Sequence, residues 1–367
     1  MQQDQTAESI PHRQDSIKKI LMIKSHSMGI GDLLRSSAAW RALKDHWPEV
    51  ELHLVFLSKH PGYAVEEIIK SHHLLSSATF ITMREGSPHI ANAKRVPYRI
   101  LKEQIKSLSN SLQPDLVIDF EASGLRTTFL TRIAANACSA KTVGISQFPG
   151  RGFLYDISAP STSQFASRRQ LALPMDYTNR DFVALSALGI ERQGRPIELN
   201  LSDKGKLYAK ELKRRLATRT LNVGLNIGCG TLDAIHKRPP IDDLVECVGF
   251  TLQQVPHNLL LSGASFEKDI NQAFIKAYAS RWGDTTHIFD LAGETSLDSL
   301  TGLIDVCDIF TSTDSGPYHM SVAMQKPTLV WFTYDEVTSF HNHPWCSRVT
   351  RPQPEEFRLA FNKLLPQ

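Results

Sequence analysis

Two carboxylates, each set in a glycine turn between an apolar run and a helical pattern, are the residues best placed to do chemistry. Asp32 closes Ser25-His-Ser-Met-Gly-Ile-Gly-Asp32, after an apolar run at 19–24 and before a helical pattern at 33–46. A carboxylate held there can take a proton from a hydroxyl. Asp is also a favoured N-cap residue, and that simpler role stands beside the first. Asp314 opens Asp314-Ser-Gly-Pro-Tyr-His319, between an apolar run at 306–310 and a helix expected at 318–324. Gly316 permits close backbone approach, and Pro317 suits the first helical position. Free N–H groups at such a strand-to-helix turn hold anions. His319, one turn in, adds a donor, and ordinary capping by Asp314 or Ser315 is the alternative.

A third turn, Asn226-Ile-Gly-Cys-Gly-Thr231, precedes Lys237-Arg238 by six residues. Backbone N–H groups with an ammonium nearby suit a diphosphate. The Gly-Lys-Ser/Thr ending of a Walker sequence is missing, however, and most lysines are simply solvated. Gly29-Ile-Gly-Asp32 likewise lacks the third glycine of a dinucleotide fingerprint. Arg84, Lys94, Arg95, Arg99, Lys102 and Lys106 make one segment basic, and Arg126, Arg132, Lys141 and Arg151 continue it. Such charge can hold an anionic partner, lie against an acidic membrane surface, or just be solvated. His341-Asn-His343 with Cys346 has the residue types of a metal site, but no fourth ligand is near and no metal is expected. No Gly-x-Ser-x-Gly elbow is present.

The elements that must carry these turns alternate. Apolar or alternating runs at 19–24, 50–57, 78–83 and 115–120 interleave with helical patterns at 33–46, 63–70, 98–112 and 125–137. After a Gly/Ser/Pro/Arg-rich stretch at 144–172, read as loop, and a helix at 179–188, the pattern resumes. Strands are expected at 222–227, 258–262, 288–290, 306–310 and 328–332, with helices at 207–217, 241–253, 267–282, 296–307 and 354–364. Strand–helix alternation at this spacing implies α/β architecture with doubly wound parallel sheets. A length of 367 residues exceeds what one core usually supports, so two such domains facing a ligand cleft are expected.

Composition is that of a soluble globular protein, 41% hydrophobic and 22% charged, and a net charge of +3 argues for no nucleic-acid partner. Residues 1–16 are polar and are expected to be a frayed tail, not a signal peptide. No run has the length to cross a bilayer. Five scattered cysteines read as free thiols of a reducing cytoplasm.

Together these pieces resemble the heptosyltransferase family of glycosyltransferases (glycosyltransferase family 9) over residues 17–351. The best-matched stretches are Leu291-Ala-Gly-Glu-Thr-Ser-Leu297, Asp314-Ser-Gly-Pro-Tyr-His319 and Lys326-Pro-Thr-Leu-Val330. Ser27-Met-Gly-Ile-Gly-Asp32, Asp115-Leu-Val-Ile-Asp119, Leu259-Leu-Leu-Ser-Gly263 and Lys237-Arg-Pro-Pro240 add support. The resemblance implies a GT-B fold of two Rossmann-like domains. Residues 17–195 would bind the acceptor and 196–350 the nucleotide sugar, with a C-terminal helix in 351–367 packing back toward the first.

It implies an inverting, metal-independent transfer without cofactor, usually of heptose from ADP-heptose, to a lipopolysaccharide-core or lipid-linked saccharide. Asp32 matches the family's general base. Lys237 matches a phosphate or sugar ligand, Glu267 a ribose ligand and Thr295 a residue near the base. Asp314 falls on the sugar, with Ser315, Gly316 and His319 around the diphosphate and Thr231 as a looser match. Gly31, Arg95, Arg99 and Arg126 are candidates for acceptor contact. A cytoplasmic location with peripheral contact at the inner face of the membrane follows from the same likeness.

The chain departs from the family pattern at Pro239 for tryptophan, Glu294 for Lys or Arg, the Ile30-Gly31 insertion, and Thr333-Tyr334 for Gly-Pro. These changes leave open a different nucleotide sugar. A nucleotide-sugar epimerase and a catalytically silent nucleotide-sugar-binding protein are the remaining alternatives.

Overall fold

Among the described residues, twelve strands form two six-stranded sheets in which every strand is parallel to its neighbours. The computed structural model describes residues 17–26, 29–58, 65–85, 94–216, 221–230 and 232–365. The first sheet contains β1 (Lys19–His26), β2 (Glu51–Ser58), β3 (Ser77–Thr82), β4 (Leu116–Asp119), β5 (Lys141–Ile145) and β6 (Ile157–Ala159). The second contains β7 (Leu221–Asn226), β8 (His257–Ser262), β9 (Ile288–Asp290), β10 (Ile309–Thr313), β11 (Thr328–Phe332) and β12 (Cys346–Thr350).

Their orders are β3-β2-β1-β4-β5-β6 and β12-β11-β10-β7-β8-β9. Counted from its own first strand, the second sheet repeats the order of the first. Central strands carry apolar side chains on both faces, as sheets covered by helices on both sides require; Ile20, Leu21, Met22 and Ile23 of β1 are all fully buried.

In each sheet the order reverses between its two central strands, β1 beside β4 and β7 beside β10. Helices leave toward opposite faces there, so a crevice opens at the carboxyl ends of those strands. Asp32 follows β1, the turn at 226–230 follows β7, and Asp314 follows β10. All three turns singled out in the sequence therefore stand at switch points.

The lobes are packed on one another. One apolar cluster runs from Leu33 and Trp40 of the first lobe to Leu303, Tyr318 and Met320 of the second. The helix Ile30–Leu34 lies against the helix Gly316–Ala323. The connection between lobes is tied to both. Glu198 N–H donates to Ser37 Oγ at 2.7 Å, Leu199 N–H donates to the Ala323 carbonyl at 3.0 Å, and Arg41 Nε donates to Glu198 Oε1 at 2.9 Å.

Several sequence expectations are corrected. The stretch 144–172 is not all loop: it includes the end of β5, all of β6 and the helix Thr162–Arg168. β5 is easily overlooked because Gly144 interrupts it. A Cβ there would lie less than 3.0 Å from three atoms of the Tyr155 ring, so the glycine serves close packing. β12, at the sheet edge and half-exposed, gave no apolar run.

The strand expected at 306–310 starts at Ile309, since Val306 closes the helix Leu297–Val306. The helix expected at 179–188 is split into 3-10 turns around Phe182–Leu185. The C-terminal helix Pro354–Asn362 does not pack back toward the first domain. Its Phe357 and Phe361 enter the core of the second, against the helix Ile241–Leu252 and β12. The tail at 1–16 lies outside the described residues.

Candidate active site

A cleft of about 840 Å³ opens where the carboxyl ends of the two sheets face each other. Gly31 and Asp32 line it from the first lobe; Lys237, Glu267, Thr295, Asp314, Ser315, Gly316 and His319 line it from the second. Thr231 lies outside the described residues. Arg95, Arg99 and Arg126 are exposed and are not among the lining residues.

Neither carboxylate is the N-cap that simple helix capping required. Gly29 occupies the N-cap of Ile30–Leu34 and makes no side-chain cap, while Asp32 sits inside the first turn. Ser315 occupies the N-cap of Gly316–Ala323, also without a side-chain cap. Its hydroxyl instead meets Asn226 Nδ2 at 3.0 Å. The first N–H groups of any helix lack intrahelical partners, so uncapped helix starts from both lobes meet at the cleft. Their approach is close: a Cβ on Gly31 would lie less than 3.0 Å from three atoms of the His319 ring, and one on Gly316 would lie 2.7 Å from Ile30 Cγ2.

Asp32 is 6% exposed and held from two sides. The Tyr177 hydroxyl donates to its Oδ1, and Arg35 Nη1 stands 3.4 Å from the same oxygen. Burial, then the Asp32 charge, raises the Tyr177 phenol well above 10, so Tyr177 is a proton donor in this pair at neutral pH. The Arg35 and Arg180 guanidinium carbons sit 4.8 and 4.9 Å from the Tyr177 ring centre. Below them Lys24 Nζ is 2.9 Å from both oxygens of Asp181, and both residues are fully buried. Burial opposes ionisation of Asp181, yet Arg35 and Lys24 outweigh it and hold the carboxyl below its usual range.

In the second lobe Asp314 Oδ2 accepts hydrogen bonds from Lys237 Nζ at 2.7 Å and from the Tyr334 hydroxyl. His319 Nε2 lies 3.8 Å from Oδ1. Burial works against the Asp314 charge, but the Lys237 ammonium and the hydrogen bonds from Lys237 and Tyr334 outweigh it and its pKa is lowered. Burial brings His319 down to about 4, so it acts as a neutral imidazole, a hydrogen-bonding group and not a cation. Its Nδ1 pairs with His341 Nε2 at 2.9 Å, and His341 Nδ1 with Thr178 Oγ1 at 3.0 Å.

His341 and His343 are thus absorbed in packing, His343 being stacked on Trp345 at 4.7 Å. Among the described residues no group of three His, Cys, Asp or Glu side chains is arranged to hold a metal ion.

Glu267 accepts from the Cys229 and Gly230 amides at 2.9 and 3.1 Å and from Arg238 at 3.2 Å. Its other oxygen accepts from the Ala264 amide at 2.9 Å. In this state the carboxylate shapes the glycine turn after β7 while lining the cleft.

Sequence reasoning passed over Tyr177, Arg35 and Arg180; it singled out Tyr334 only as a departure from the family pattern and His341 only as a metal-site residue type. Tyr177 reaches Asp32 because the segment 176–180 is zipped onto 338–342 of the other lobe. Tyr177 N–H donates to the Phe340 carbonyl at 2.8 Å, Asn342 N–H to Asp176 Oδ2 at 2.9 Å, and Arg180 Nη2 to the Thr338 carbonyl at 2.9 Å. The one local signal was Asp176, whose carboxylate caps the turn by accepting from Thr178 N–H.

Solved structures sharing this architecture include a family 9 glycosyl transferase from Veillonella parvula, with 15% identity, 96% of this chain and 98% of that one covered, and a TM-score of 0.69. The ADP-heptose lipopolysaccharide heptosyltransferase II of E. coli follows at 16% identity, 94% and 98% coverage and TM-score 0.62. The E. coli heptosyltransferase WaaC with ADP-2-deoxy-2-fluoro heptose gives 16%, 94% and 97%, and 0.56. These likenesses and the two facing sheets define a GT-B fold, the two-lobed architecture of glycosyltransferases. No curated protein sequence matches the chain. The model of glycosyltransferase family 9 (heptosyltransferase) matches residues 155–353, more than half of its length, and the chain belongs to that family.

Proposed function

We propose that this enzyme transfers heptose, or a related sugar, from an ADP-sugar to a lipopolysaccharide-core or lipid-linked saccharide, with inversion and without a metal or other cofactor. The observation that carries the reading is that Asp32 and Asp314, from opposite lobes, line one cleft with two uncapped helix starts between them. In the reaction the acceptor hydroxyl gives its proton to Asp32 as its oxygen attacks the anomeric carbon. The bond to the diphosphate breaks on the opposite side, which inverts the centre. Charge growing on the leaving phosphate is stabilised by the Ser315 and Gly316 amides, by Lys237, and by a hydrogen bond from neutral His319. Lys237 must leave Asp314 to do this, and Asp314 is then available to sugar hydroxyls. Glu267 meets the ribose and Thr295 the base. Work on such an acceptor fits a cytoplasmic protein in peripheral contact with the inner membrane face; among the described residues no helix is long and apolar enough to cross a membrane.

A different donor sugar is favoured by one observation. Tyr334, where the family pattern has a proline, already donates to Asp314 and narrows the space around that carboxylate. Thermal melts of the protein with ADP-, UDP- and GDP-sugars decide between them, since a ligand bound only by the native state raises the melting point. A shift with ADP-heptose alone supports the primary reading. A shift with another nucleotide sugar only would replace it.

A further inference from the structure

A buried hydrogen-bonded chain runs from the first lobe to the imidazole that lines the cleft, and its polarity is fixed at one end. Thr178 Oγ1 is 3.0 Å from His341 Nδ1, and His341 Nε2 is 2.9 Å from His319 Nδ1. All three side chains are buried. Burial lowers both imidazoles, so each is neutral at neutral pH, with one N–H and one lone pair.

His319 Nε2 faces the Asp314 carboxylate, 3.8 Å from Oδ1. Burial of Asp314 is outweighed by the Lys237 ammonium, so that carboxylate is ionised. An ionised carboxylate only accepts, and the His319 proton therefore belongs on Nε2. Nδ1 is then the lone pair, and His341 must donate to it from its own Nε2. His341 Nδ1 is left as an acceptor, which makes the Thr178 hydroxyl its donor. The reverse order would set a lone pair of His319 against the Asp314 charge and, with a diphosphate bound, against a second anion.

The donor at the far end is firmly held. Thr178 N–H donates to Asp176 Oδ1 at 2.8 Å, while Asp176 Oδ2 accepts from Asn342 N–H at 2.9 Å and from Arg192 Nη1 at 2.8 Å. His341 N–H donates to the Tyr318 hydroxyl at 3.1 Å. The residue before Thr178 is Tyr177, whose hydroxyl donates to Asp32. Two consecutive hydroxyls of one turn thus serve the two sides of the cleft, one at Asp32 and one at His319.

We propose that Thr178 and His341 are positioning residues that lock His319 in its Nε2–H tautomer, so that a donor and not a lone pair faces the leaving phosphate. The value of this for catalysis rests on the transfer reading above; the tautomer itself does not.

Long-range proton–nitrogen spectra of the full chain, isotope-labelled at its histidine ring nitrogens, test this directly. At neutral pH His319 and His341 should both be protonated at Nε2. His341→Phe removes the donor to Nδ1, and His319 should become a mixture of tautomers. In that variant kcat with ADP-heptose should fall about tenfold while donor KM stays within about twofold. His341→Gln keeps an N–H for Nδ1 and should restore the Nε2–H form and most of the lost turnover. Thr178→Val keeps the volume but not the hydroxyl, and should mix the tautomers of His341 first and of His319 with it. A purely structural role would lower melting points without moving any tautomer. An Nδ1–H His319 in the parent, or an Nε2–H form that persists unchanged in His341→Phe and Thr178→Val, would overturn the proposal. A parent with the expected tautomers that turns over no nucleotide sugar loses the transfer reading and keeps the relay.

Discussion

Gly31 and His319 meet across the two lobes with no room for a methyl group between them. The glycine turn that carries Asp32 is thereby seated directly on the helix Gly316–Ala323 of the second lobe. Gly31→Ala should force the lobes apart locally, costing about 1–3 kcal/mol in a urea titration. In a His319→Ala background the same change should cost much less, because the obstructing ring is gone. Equal costs in both backgrounds would disprove the contact.

Asp32→Asn keeps the shape of the side chain and its hydrogen bond from Tyr177 while removing the proposed base. Transfer should fall on the order of a hundredfold or more, while nucleotide-sugar binding measured by calorimetry stays within about twofold. Unchanged turnover would remove the assignment.

Tyr177→Phe removes one hydrogen bond to a carboxylate and little volume. A bond to a charged group contributes about 1.5–3 kcal/mol, so kcat should drop on the order of ten- to a hundredfold with donor KM unaltered. A change confined to KM would place Tyr177 in donor binding instead.

Tyr334→Phe frees one hydrogen-bonding position on Asp314. The ratio of kcat/KM between ADP-heptose and other ADP-sugars is expected to shift severalfold, whereas binding of ADP itself should not change. An unaltered ratio would mean that Tyr334 does not sense the sugar.

Stability should decline as pH falls. Burial takes His72, His319 and His343 from 6.5 to about 4, and His341 well below 6.5. Between those values the unfolded chain binds more protons than the folded one, so stability is lost on acidification through that window. Asp119 acts in the opposite sense: burial raises it from 3.8 to about 6, and its protonation favours the fold there. Burial lowers His53 as well, so five imidazoles oppose one carboxyl, and melting points should drop from about pH 6.5 to about pH 4. A flat profile would show that the imidazoles accept protons without cost.

What could be seen in the sequence was what is encoded locally. Apolar runs and helical periodicity located nine of the twelve strands. The three passed over were short or atypical: β5 broken by Gly144, β6 of three residues, and β12 half-exposed at an edge. The turns bearing Asp32 and Asp314 and the turn ahead of Lys237 were visible because each follows an apolar strand and contains glycine. Arg95, Arg99 and Arg126 were read as either acceptor contacts or solvated charge, and they are not among the residues lining the cleft, since charge in a sequence carries no direction.

The residues alone determined the alternating α/β architecture, the two tandem units and the identity of the motif Asp314-Ser-Gly-Pro-Tyr-His319. Each follows from side-chain spacing over a few turns, which neighbouring residues suffice to set. Tertiary packing decided that Tyr177 touches Asp32 from 145 residues away, that Tyr334 and Lys237 share Asp314, and that His341 backs His319. It also sent the last helix to the second lobe. Such contacts depend on how two lobes close on each other, and no local pattern records the partner of a side chain so distant along the chain.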